Sequence, residues 1–243
     1  MTSSSQIWDI VRDGFQTYRQ GFPRLFSLSA ALATIDVSTN NVALGPPEAW
    51  ILVRISAYAW LGLAMLLVSN MVHLGRSQGF LDALLSPSSA YWRFLGYSAV
   101  FGSIGVTGYG VAVVVKVLPP IVGFVAALLA IAVAVYVMVR MGLYGAIIAF
   151  EAKPAGAPNP IERSWSIMSG HIREGLIVWG VACGCHLPGW LCYGIARASP
   201  PSLLRLALVL TGAFFVALAG PLLATIAAAL YRTVQAANNA VIR

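Results

Sequence analysis

The stretch Asn159–Val181, NPIERSWSIMSGHIREGLIVWGV, changes character halfway along, and that change decides how the whole chain is read. Asn159 is placed to cap a helix, Pro160 suits the first helical position, and Glu162 stands three residues after the cap, as in a capping box. Ile161, Trp165, Met168 and Ile172 then recur at helical spacing on one face, while Glu162, Arg163, Ser166 and Ser169 point elsewhere. After Arg173 and Glu174 the run GLIVWGVACGC carries no charge and no polar face. The pattern predicts an amphipathic helix on a membrane surface over about 159–171, feeding into a spanning segment over about 172–196.

The composition agrees. Hydrophobic residues make up 59% of the 243 residues and charged residues only 9%, against roughly 25% charged in soluble domains. The mean hydropathy is +0.81. This is the balance of an integral membrane protein. The net charge of +7 does not point to nucleic acid, because the basic residues are spread between apolar runs and form no cluster with interleaved aromatics. The opening MTSSSQIWDIVRDG holds acidic residues and no basic region leading into an apolar core, so a cleaved signal peptide is not expected.

Working outward, a second surface helix is predicted over about 5–20, with Ile7, Val11, Phe15, Tyr18 and Phe22 on one face and Asp9, Arg12, Asp13, Gln16 and Arg19 on the other. A reduced third one is predicted over about 79–86, on Phe80, Leu81, Leu84 and Leu85. The spans fall at about 21–37, 50–72, 91–117, 121–150, 172–196 and 203–231. The third is rich in glycine, which lets helices approach closely in lipid. The fourth is longer than the roughly 20 residues a bilayer needs and must tilt, kink or project. Projection is favoured, with Arg140 near the headgroups and MGLYGAIIAF packed beside the surface helices. The expected fold is thus all-α: one integral membrane domain over 1–243 with six spans and two or three amphipathic helices on one leaflet. Surface helices near residues 7, 79 and 160, each followed by two spans, also suggest a threefold repeat.

Of the 15 basic residues, eleven fall on the side of the N-terminus: Arg12, Arg19, Arg24, Arg76, Arg93, Arg140, Lys153, Arg163, Arg173, Arg232 and Arg243. Arg54, Lys116, Arg197 and Arg205 fall on the other. The asymmetry predicts both termini in the cytoplasm. Trp8, Arg12, Arg19, Trp92, Arg93, Arg163, Trp165 and Arg173 are then the expected membrane-interface residues.

Four short motifs carry a family resemblance: Phe15-Gln-Thr-Tyr18-Arg19 before the first span, Arg140…Glu151, Ile161-Glu-Arg163-Ser164-Trp165, and Tyr231-Arg232. The chain resembles the six-span membrane domain fused to some bacterial glycerophosphoryl diester phosphodiesterases and found in stand-alone membrane proteins. The resemblance covers nearly the whole chain. It implies a helical module of the bacterial cytoplasmic (inner) membrane without a settled activity. The phosphodiesterase chemistry of such fusions belongs to a separate soluble barrel, for which six spans in 243 residues leave no room, so no catalytic residue is carried over.

Nor do the residues themselves assemble a reaction. Cys183, Cys185, His186 and Cys192 are metal-ligand types, but residues two apart on a straight helix diverge by about 160°. Cys183 and Cys185 could share an ion only if Pro188 distorts the helix, and small side chains packing between helices is the plainer reading. A disulfide is not expected among them. His73, His171 and His186 lie on different segments, and no phosphate-cradling loop is present. Arg54 and Arg140 are read as snorkelling to the headgroups. No catalytic, cofactor-binding or metal site is therefore expected. The expected partners are the lipid bilayer and either a membrane protein partner or a second copy of the chain, with no nucleic acid. The expected function is a non-enzymatic membrane-organising protein or accessory subunit. The alternative is a small transporter or lipid-handling permease, which would draw on Thr107, Tyr109, His186 and Tyr193 as its few polar groups.

Overall fold

A computed structural model describes residues 4–41, 47–76, 80–85, 90–96, 98–99, 115, 117–151 and 159–241. Among these the chain is all-helical. We number the helices α1 (Ser4–Asn41), α2 (Pro47–His73), α3 (Phe80–Leu85), α4 (Pro120–Met141), α5 (Tyr144–Phe150), α6 (Pro160–Met168), α7 (Ile172–Ala198) and α8 (Leu203–Val241). Four stretches are long and apolar enough to cross a membrane: Ile55–His73, Pro120–Phe150, Ile172–Ala198 and Leu203–Ala237. The expected span over 21–37 is not among these, and most of 91–117, with its glycines, lies outside the described residues.

α1 corrects the first expectation. The surface helix of 5–20 and the span of 21–37 are one 38-residue helix that runs through Pro23. Pro23 removes the bond to the carbonyl of Arg19, but both residues are exposed, so that carbonyl is not sealed in an apolar core. The expected apolar face is only partly covered by protein. Ile7 and Val11 are buried, yet Phe15 and Phe22 are 40% and 38% exposed. The stripe that packs continues through Gly14, Thr17 and Gly21 to Leu25 and Leu28. The reason is close approach: a Cβ on Gly14 would stand 2.9 Å from the Ile226 Cα of α8, and one on Gly21 would stand 2.9 Å from a Val72 methyl of α2. Small residues make the contact, and the large aromatics are turned out.

α1 and α8 run antiparallel, so both ends of the pair lie at the same end of the bundle, with Asp13 beside Arg232 and Gly14 beside Ile226. α7 lies along α8 in turn. A Cβ on Gly212 would meet the Gly189 carbonyl oxygen at 3.1 Å. At the terminal end one core joins Ile10 and Val11, Val139 and Leu143, Met168, Val178, and Ile226 and Leu230. A second joins Leu25 and Leu28 of α1, Leu63 and Ala64 of α2, Phe94 and Ile148, with Tyr18 and Phe150 packed against both. Burial fades toward the opposite end. Residues 217–234 of α8 are largely buried, whereas 203–214 are largely exposed, as are 183–195 of α7. α4 is exposed from Ile121 to Met138 over about 220° of its circumference, at 100° per residue.

The long fourth run is kinked, one of the three ways expected for it to fit a bilayer. It breaks at Gly142–Leu143 into α4 and α5, and α5 then packs against α6, α2 and α8. α6 and α7 are likewise separate helices, divided at Ser169–His171. The first unit of the expected repeat thus has one helix where the last has two. The short surface helix expected over 79–86 is the six-residue α3, with Leu81 and Leu85 exposed; the side chains of Phe80 and Leu84 lie outside the described ones. α2 ends on Gly75 in the left-handed region (φ +67), with the amides of Gly75 and Arg76 bonded to Val72 and Met71. This is the stop that glycine makes cheaply.

Candidate functional site: a polar belt at the terminal end

The side chains able to do chemistry or to grip a headgroup gather where α1, α4, α6 and α8 meet. Asn159 caps α6 as expected, accepting the Ile161 amide at 2.9 Å. Glu162 makes no return bond to it among the described residues; it is exposed. The cap fixes the rotation of α6, which buries Pro160, Ser164 and Met168 and leaves Ile161 and Trp165 half-buried at the flanks. Ser164 is fully buried because it does a backbone's work. Its hydroxyl donates to the Arg140 carbonyl at 2.9 Å and accepts the Leu143 amide at 3.1 Å, which closes the break between α4 and α5. From α7, Trp179 lies against the same break, its indole nitrogen 2.6 Å from where a Cβ on Gly142 would be.

The neighbouring residues continue the belt. The Arg140 guanidinium sits 4.6 Å from the Trp165 ring centroid and 5.7 Å from that of Tyr136. The two rings meet edge-on at 5.9 Å. Cation–π contacts of this kind are worth about 0.5–2 kcal/mol, and they hold Arg140 although its buried Nε has no hydrogen-bond partner among the described residues. Glu151 receives Arg163 Nε at 2.8 Å on Oε1 and 2.6 Å on Oε2, and the Tyr231 hydroxyl donates to Oε1 at 2.6 Å. Phe150 packs on the Tyr231 ring at 5.5 Å. One carboxylate therefore ties the loop after α5 to α6 and to α8.

On the other side of α8, Arg232 Nη2 donates to Asp13 of α1 at 2.9 Å, and His73 of α2 lies 3.8 Å from the same carboxylate. Tyr18 reaches across to the Leu218 carbonyl at 3.0 Å; burial pushes its phenol up, which keeps it a donor. Glu174 is buried in the first turn of α7 with His171 3.9 Å away. A carboxylate there also benefits from the free amides and positive dipole end of the helix.

The expected interface residues divide into two groups. Trp8, Arg12, Arg19, Trp92 and Arg173 are exposed and Arg93 is partly so, while Arg163 and Trp165 take protein partners in the belt. Arg140, expected to snorkel, is capped by Trp165; the Arg54 side chain lies outside the described ones. Cys183, Cys185 and Cys192 are free thiols along α7, and no group of three metal-ligating side chains occurs among the described residues. His186 directs Nδ1 at the Ala182 carbonyl, 2.9 Å away, and stacks on Trp190. Thr107 and Tyr109 lie outside the described residues.

The Asp13–Arg232 pair and the Ser164 staple are missed by the sequence reading. Ser164 was within reach, since it stands four residues after Pro160 and four before Met168 on the same stripe. Asp13 was not, because its partner is 219 residues away. Compared with protein-family models, with curated proteins and with solved structures, the chain finds no match in any of the three.

Proposed function

We propose that this chain is a non-enzymatic, multi-pass protein of the bacterial cytoplasmic membrane, with both termini cytoplasmic, that acts through its lipid-facing and partner-facing surfaces. It organises the membrane or serves as an accessory subunit of a larger assembly. In this reading the second half of α1 and the segment 91–117 complete six spans, in keeping with the resemblance to the membrane domain of glycerophosphoryl diester phosphodiesterase fusions. The 22 residues of α4 reach about 33 Å, close to the roughly 30 Å of a hydrocarbon core. Arg140 and the belt then fall at one interface, where eleven of the 15 basic residues lie.

The observation that carries the reading is the exposed apolar girdle of α4 and of the far parts of α7 and α8, set against a belt whose two carboxylates and buried serine are engaged with neighbouring side chains or with backbone, although Arg140 Nε and Arg232 Nε and Nη1 have no hydrogen-bond partner among the described residues. Glu151 has Arg163 and Tyr231, Asp13 has Arg232, and Ser164 has two backbone groups. The outward surface is what remains to meet something else.

Gentle detergent extraction followed by size and composition analysis tests the role. The expected result is a particle heavier than one chain, containing a protein companion or a second copy. A strictly monomeric chain without companions sinks the accessory reading. A reporter fused after Arg243 tests the orientation; activity only outside the cytoplasm overturns it.

A further inference from the structure

Two grooves lie end to end along one face of α1. The first, of about 650 Å³, is lined by Arg12, Phe15, Gln16, Tyr18, Arg19 and Phe22. The second, of about 260 Å³, runs between α1 and the far half of α8, with Phe26, Ala30, Ala33 and Thr34 on one wall and Ala213 and Phe214 on the other. At 100° per residue, the α1 residues lining the two grooves spread over about 200° of arc, and Arg12, Arg19, Phe26, Ala30, Ala33 and Thr34 occupy the central 100° or so that both grooves share. Phe22 stacks on Phe26 at 5.4 Å and 19°, joining the end of one groove to the start of the next.

The track changes chemistry along its length as an amphiphile does. Its basic end holds Arg19, which has no carboxylate partner among the described residues, and Arg12, which is shared with Asp9 at 2.8 Å. Its far end is apolar, and even Thr34 directs its hydroxyl into its own helix, to the Ala30 carbonyl at 2.8 Å. The lengths also fit. From Phe26 to Ser38 the helix rises about 18 Å, against roughly 15 Å for the hydrocarbon of one leaflet. From Arg19 to Phe26 it rises about 10 Å, enough to cross the roughly 5–7.5 Å of one headgroup layer.

We propose that this track is a binding site for one anionic glycerophospholipid. Its phosphate lies against Arg19 and Arg12, where guanidinium offers paired donors to phosphate oxygens. Its glycerol region lies over Phe15 and Phe22, and one acyl chain fills the groove between α1 and α8. The proposal rests on, and deepens, the reading of this chain as one that acts through its lipid-facing surface.

The test reconstitutes the full chain in vesicles of equal phosphatidylglycerol and phosphatidylcholine, re-extracts it in mild detergent, and weighs the retained lipid by native mass spectrometry. The wild type is expected to keep one phosphatidylglycerol in preference to phosphatidylcholine, by about fivefold for each arginine that contributes. The R12Q/R19Q variant is expected to lose that preference. The T34F variant, altered at an exposed position, is expected to retain less of both lipids, and circular dichroism checks that both variants keep wild-type helix content. Added inorganic phosphate is expected to displace nothing; if it displaces the lipid, the site is for a free anion and the proposal fails. Equal retention of the two lipids by the wild type overturns it, as does a preference that survives R12Q/R19Q, undiminished retention by T34F, or a lipid-free dimer. Presence of a protein companion is scored separately. Loss of the lipid with the companion intact sinks only this site, and the reverse sinks only the accessory role.

Discussion

Ser164 has no space for a larger side chain and no polar atom to spare, since both its bonds serve the backbone at the break. Replacing it by alanine strands the Arg140 carbonyl and the Leu143 amide, and the expected loss is about 1–3 kcal/mol, read as a lower unfolding midpoint in detergent. Glu151 is tested differently, because it holds two partners at once. A double-mutant cycle of E151Q and Y231F is expected to give a coupling energy of about 0.5–3 kcal/mol, whereas uncoupled sites would add within about 0.5 kcal/mol. At this scale local chemistry was legible and distant chemistry was not. The Asn159 cap needs only its next two residues, and the sequence announces it. The partners of Glu151 lie 12 and 80 positions away, and no periodicity links an acid to a tyrosine at that distance.

Among the elements, hydrophobic periodicity signalled a helical chain, while the described helices differ from it in where they stop, as at Pro23 and at Gly142–Leu143. A proline and an arginine at 23 and 24 read as a boundary, yet α1 continues through them because its turn there faces outward. P23A is therefore expected to stabilise the protein, by up to about 3 kcal/mol if the helix costs of proline apply in full, seen as a raised unfolding midpoint. Large apolar residues mark one face of α1 in the sequence, but its contacts with α8 and α2 are made by the small residues Gly14 and Gly21, which periodicity of hydrophobic residues does not single out. The same logic applies at Gly189 and Gly212. The G212V variant puts a branched side chain against Tyr193 and the Gly189 carbonyl, and it is expected to force α7 from α8 at a cost of about 1–3 kcal/mol or more, measured by the same unfolding assay.

For the molecule as a whole, composition alone pointed to the membrane, and the four apolar helices agree with it. What the sequence did not disclose is that packing is tight at one end and loose at the other, because that depends on which helices meet, and the helices that meet most extensively are the first and the last. Tyr18 waits for Leu218, 200 residues later in the chain. At 5–20 residues per second of synthesis, that is an interval of about 10–40 s, during which α2 can already cover Gly21 but Gly14 and the rest of the α8-facing stripe have no partner. The seam between α1 and α8 therefore closes only after most of the helices before α8 have been made. A chain stopped after Pro201 is expected to insert its earlier helices and then be cleared by proteolysis several-fold faster than the full chain, which a pulse-chase measurement of half-lives would reveal. Supplying Leu203–Arg243 as a separate fragment in the same cell should restore the lifetime, since α8 needs to reach α1 but need not be joined to it.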